Sequence, residues 1–175
     1  MGNYGMRIGF LTGMLVGCFL VLLFLKMTRK DGSLKCKYDE RQQLVRGRGF
    51  QYGFFSWMVF NGIYITIDLG LGKKYMDTSM VLYCGMVVGG VVYIIYSIWH
   101  DGYFSLNENP KRLLFLFITI TLLNGACAFE RIHEGLLDHG VLTLINGANR
   151  FLAAAAVLVL IVLFVKWYSD SKKTE

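Results

Sequence analysis

Few side chains in this 175-residue chain are placed to do chemistry. His133, Glu134, Asp138 and His139 gather four metal-ligating groups within seven residues. Their order, His-Glu-x-x-x-Asp-His, is not the His-Glu-x-x-His that sets two imidazoles on one helix face around zinc. The cluster is a weak metal candidate, and no metal is assigned to it. Asp68, Asn61 and Asn124 lie in otherwise apolar runs, where a carboxylate or amide is the kind of group a proton or ion path needs. Asp68 stands only a few residues before Lys73 and Lys74, so an interfacial ion pair is the simpler expectation. Asn61, Asn124 and Thr66 suit interhelical hydrogen bonds. There is no Ser/His/Asp arrangement, phosphate-binding loop or Cys/His ligand spacing. The chain is therefore expected not to be an enzyme, and no cofactor is expected.

A second set of residues acts by being small. Gly9, Gly13 and Gly17 recur every four positions, which places them on one helix face and lets another backbone approach closely. Gly85 and Gly89 repeat the spacing, as do Gly49 and Gly53, and 153–156 is a run of four alanines. These are the expected helix-packing residues. Their partner is expected to be a helix of the same chain, with a second copy as the alternative.

A third set forms a handle in the most basic part of the chain. Asp39 is a helix N-cap candidate and Glu40 suits the first turn. Arg41, Arg46 and Arg48 follow, and one helix is expected to run on from here, loosened at Gly47 and Gly49. Such a segment could lie at an anionic leaflet, but charge that merely sets topology is the simpler expectation. The stretch Asp39-Glu40-Arg41-Gln42, followed by Arg46-Gly47-Arg48-Gly49-Phe50-Gln51-Tyr52-Gly53-Phe54-Phe55, resembles a group of small multi-span membrane proteins from low-GC Gram-positive bacteria. Those proteins place an Asp-Glu-Arg-Gln motif and an Arg-Gly-Lys-Gly/Ala-Phe-x-Tyr-like run just before a membrane helix. Arg48 stands here where they often have lysine. The resemblance covers about 20 residues. It implies a membrane location, no established activity, and a link to regulation, since some of those proteins are encoded beside helix-turn-helix regulators.

The elements that must carry these residues are apolar runs. Residues are 55% hydrophobic and only 17% charged, against about 25% charged in a typical soluble domain. Mean hydropathy is +0.48. Five runs, 8–25, 50–71, 80–99, 113–129 and 152–167, are each close to the roughly 20 residues a helix needs to cross about 30 Å of hydrocarbon. Hydrocarbon supplies no hydrogen-bond partner, so each run must satisfy its own backbone, and a helix does so. The expected fold is all-α: one integral membrane helical bundle of five transmembrane helices covering 1–175.

Charge sets the expected orientation. Eight of the 18 Lys and Arg fall between Lys26 and Arg48, and short basic loops stay in the cytoplasm. Alternation then puts the N-terminus outside, loop 26–49 inside, 72–79 outside, 100–112 inside, 130–151 outside and the C-terminus inside. Thirteen Lys and Arg fall on the inner side and five on the outer. The segment 130–150 is expected to be a short outer amphipathic helix or an extension of the fourth span, and 146–149 a turn or cap. Cys18, Cys84 and Cys127 lie in apolar runs and Cys36 in the basic loop, a placement that does not suit a disulfide framework. Residues 15–18 look like a lipoprotein processing box, but the apolar run continues past Cys18, so lipidation is not expected.

The expected setting is the cell membrane, with the lipid bilayer and a membrane or cytoplasmic protein as partners and no nucleic acid. The expected role is accessory or regulatory, exercised through contact. A small transporter or channel subunit, acting as a homo-oligomer, is the alternative.

Overall fold

The computed structural model describes Phe19, Leu22, Leu23, Lys26, 36–130 and 137–172. Of the first apolar run it therefore gives three positions, and Lys26 just after it; all four residues are helical and exposed. Gly9, Gly13 and Gly17 lie outside the described residues, as do His133 and Glu134.

Helix α1 runs Glu40–Leu71, 32 residues without interruption. The Asp39 carboxylate accepts the Gln42 N–H at 2.6 Å, and the Gln42 side chain accepts the Asp39 N–H at 3.3 Å. This reciprocal capping box satisfies two amides that a helix start leaves open. Gly72 ends the helix in the left-handed conformation at φ 61° and donates its N–H to the Asp68 carbonyl. Gly47 and Gly49 do not loosen α1, which is helical through both. At 1.5 Å per residue α1 is about 48 Å long, some three turns beyond a hydrocarbon core.

Helix α2 spans Thr78–Trp99 and is capped by Asp77, which accepts the Met80 N–H at 2.5 Å. Helix α3 spans Pro110–Glu130. Asn109 accepts the Lys111 N–H at 3.1 Å, and Pro110 takes the first helical position, where no N–H is needed.

The chain between α3 and the last helix departs from expectation. Leu137–Asp138 (β1) and Val141–Leu142 (β2) pair antiparallel, joined by His139 and Gly140 with φ of 48° and 82°. Two consecutive positive φ values are the signature of the tight turn that matches strand twist. An amphipathic helix over 137–142 is thus replaced by a hairpin, whose Leu142 bridges to Met76. Helix α4 then spans Leu144–Ser171, starting eight residues before the expected 152. The stretch 146–149, expected as a turn or cap, is helical. Packing overrides its weak helix propensity: Gly147 is buried close against the Met80 and Leu142 side chains.

Helix α1 packs on α2, α2 on α4, and α4 on α3. The buried side chains Met80, Val81, Cys84, Ile98, Ala156 and Val159 all belong to α2 and α4, which hold the centre. Outside this thin core lies a broad apolar surface, including Phe50, Phe55, Leu69, Met86, Phe129, Phe164 and Trp167, each at least 60% exposed. Soluble monomers do not present such continuous apolar area to water. Among the described residues three helices, α1, α2 and α4, are long and apolar enough to cross a membrane. The apolar part of α3, Phe117–Glu130, is shorter.

Candidate functional site

The described residues converge most densely at the end of the bundle where α1 begins. Lys37 donates its N–H to the Asn107 side chain at 3.1 Å, and its carbonyl accepts the Leu106 N–H at 2.8 Å. Gln42 turns its amide to the carbonyls of Asp101 (3.3 Å) and Phe104 (3.1 Å). One glutamine thus caps α1 and fastens it to the α2–α3 connection. Val45 fills the space a side chain at Gly102 would need. Glu108 is 8% exposed; its carboxylate accepts the Ser105 N–H at 2.9 Å and lies 3.8 Å from the Cys36 thiol. From the opposite side Lys166 of α4 meets Asp101 at 3.0 Å and Asp170 at 3.2 Å.

Arg46 sits at the middle of this knot. Its guanidinium lies 4.2 Å from the Tyr38 ring centroid and 5.6 Å from that of Tyr93, and it donates to the Tyr103 carbonyl at 3.5 Å. A half-buried cation held on aromatic faces is a stabilising arrangement worth about 0.5–2 kcal/mol. Burial pushes the Tyr38 and Tyr103 phenols well above the usual tyrosine range; the nearby Glu108 charge pushes the same way, and Arg46 opposes it. Both phenols are neutral at physiological pH.

The expected contact residues divide here. Asp39 and Arg46 are spent on structure, one as a cap and one as the centre of the knot. Glu40, Arg41 and Arg48 are exposed around it. Gln42, Tyr93, Asn107 and Glu108 are parts of the site that the sequence reading missed. Gln42 was findable, because Asp-x-x-Gln before an apolar run is a capping-box spacing. The remainder needed the tertiary fold.

Gly85 and Gly89 lie at the crossing with α1. A Cβ built on Gly53 would stand 2.6 Å from the Gly89 carbonyl oxygen, and one on Gly89 would stand 2.7 Å from that of Gly53. Gly85 makes room for the Trp57 ring and the Asn61 amide. Trp57 Nε1 and Ser97 Oγ are buried at this interface with no hydrogen-bond partner.

The polar groups of the apolar runs do not converge. Asn61 donates to Trp57 O at 2.7 Å, Thr66 to Gly62 O at 2.8 Å and Asn124 to Ile120 O at 2.8 Å. Each bonds one turn back on its own helix, not across helices as expected. Asp68 is half-buried, and none of the ion pairs among the described residues joins it to Lys73 or Lys74. Asp138 and His139 are exposed neighbours 3.6 Å apart on the hairpin. Among the described residues no three His, Cys, Asp or Glu side chains are grouped to hold a metal ion. Comparison with protein-family models, curated proteins and solved structures finds no match to this chain.

Proposed function

We propose that this chain is a small multi-pass protein of the cell membrane, with five spans, its N-terminus outside and its C-terminus in the cytoplasm. It acts as an accessory or regulatory component through protein contact at the Asp39–Arg48 end, without catalysis. One observation carries this reading. The segments that charge assigns to one side of the bilayer are the ones that bond to each other. Segment 36–46 joins 101–108, which joins Lys166. At the opposite end Asp77 and Tyr75 bond to Leu142. Helix α3 has 21 residues, about 31 Å of rise, and fits as a span by length.

Contact is favoured over transport because Asn61, Thr66 and Asn124 are each satisfied within one helix. A path would need such groups to meet near the midplane. The knot presents Glu40, Arg41 and Arg48 on a rigid, capped helix start, a surface suited to an acidic or mixed-charge protein partner. A photo-crosslinker at Arg41, used in the cells that make the protein, is expected to capture a discrete protein partner that charge reversal at Glu40 releases. Capture of lipid alone would count against the contact role.

A further inference from the structure

Among the described residues, helices α1 and α2 leave an open groove of about 560 Å³, lined by Tyr52, Phe55, Val59 and Ile63 of α1 and Val88 and Val92 of α2. Its walls are almost wholly apolar, with Ser56 the one hydroxyl between its two ends. From Tyr52 to Ile63 the helix rises about 16 Å, close to half of a hydrocarbon core about 30 Å thick. The groove therefore has the length of one leaflet's acyl region.

The end of the groove nearest the knot changes character. Tyr52 and Tyr96 close it, their rings 5.0 Å apart, and His100 stacks on Tyr96 at 4.1 Å. Arg48 precedes Tyr52 by one turn, and positions 48, 52, 55 and 59 share one helix face. Arg48 is exposed, one turn beyond the apolar lining, at the depth where a headgroup follows an acyl chain. Asp101, next to His100, is engaged by Lys166 at 3.0 Å, which offsets its charge. An open apolar groove about one leaflet long, headed by a guanidinium and aromatic hydroxyls, matches a molecule with a hydrocarbon chain and an anionic head.

We infer that the α1–α2 groove is a specific site for a glycerophospholipid of the leaflet at the Arg48 end, its acyl chain along Phe55–Ile63 and its phosphate on Arg48. The site rests on the membrane reading, and detergent dependence of the purified chain checks that reading separately.

Native mass spectrometry of the full chain in detergent, titrated with dioleoyl phosphatidylglycerol and with dioleoyl glycerol, tests the site. The phospholipid is expected to stay bound and the headgroup-free lipid to bind about tenfold more weakly, as loss of one charge-assisted contact predicts. Arg48→Gln, at an exposed position, is expected to remove that preference with helix content unchanged. Val59→Trp, which fills the slot, is expected to remove both lipids. Equal binding of both lipids to the parent chain, or phospholipid binding unaltered in both variants, overturns the site. So does a dimer whose Val59→Cys residues crosslink to each other in place of bound lipid.

Discussion

The contact between Gly53 and Gly89 shows how much a single hydrogen atom decides here. Each residue sets its Cα against the other's carbonyl oxygen, so backbone meets backbone. Adding one methyl at either position forces two helix backbones apart. Gly53→Ala and Gly89→Ala are each expected to destabilise the protein by about 1–3 kcal/mol, read as lower thermal midpoints in detergent. Gly62 and Gly90 face open space, so Gly62→Ala and Gly90→Ala are expected to change stability by no more than about 0.5 kcal/mol. Four-residue spacing made Gly85 and Gly89 legible in the sequence; it could not say which helix they would meet.

The buried phenols give a second test at this scale. Tyr38 and Tyr103 have folded-state values raised above the ordinary 10.0. Their contribution to stability is fully present below pH 10 and falls as pH rises above it, because the unfolded chain then loses those protons first. Denaturation followed across pH 8 to 12 is expected to show a loss beginning near pH about 10 that shrinks in a Tyr38→Phe, Tyr103→Phe variant. A pH-independent midpoint over that range contradicts the burial of both phenols.

Among the elements, the α2 and α4 starts are governed by one carboxylate. Asp77 accepts the Met80 N–H at 2.5 Å and the Leu144 N–H at 3.3 Å, while Thr143, the residue before α4, makes no side-chain cap. Tyr64 adds a clamp from α1, its hydroxyl donating to the Met76 carbonyl at 2.9 Å and accepting the Met76 N–H at 3.0 Å. Asp77→Ala leaves two helix starts open and is expected to cost about 1–2 kcal/mol per cap. Asp77→Asn, which keeps one of the two acceptor oxygens, is expected to recover the loss at one cap only in the same thermal assay. This borrowed cap explains why the start of α4 was hard to read. Leu144 has no local capping residue, and Asn146, Gly147 and Asn149 are poor helix formers. The capping group lies 67 residues upstream. The start of α1 could be read because Asp39 and Gln42 are local. The hairpin at 137–142 carried a real local signal, Gly140 after His139, which the strong charge pattern around it obscured.

At the scale of the molecule, apolar length and basic loops were the readable features, and they bear on environment more than on activity. Periodicity could have misassigned α1, whose apolar residues surround the helix. Its most apolar stretch has no residue buried within the protein, as suits a helix solvated by lipid. The knot at 36–48 and 101–108 was not readable, because Arg46, Tyr93 and Glu108 come from three separate parts of the chain. What unites the observations is two polar ends separated by an apolar girdle, with Arg41 at one end and Lys74 at the other. The most direct test is impermeant thiol labelling of intact cells making cysteine-free protein with either Arg41→Cys or Lys74→Cys. The expected result is labelling of Lys74→Cys from outside and of Arg41→Cys only after the membrane is opened. Labelling of both from outside, or recovery of the chain as a monodisperse protein without detergent, contradicts the account.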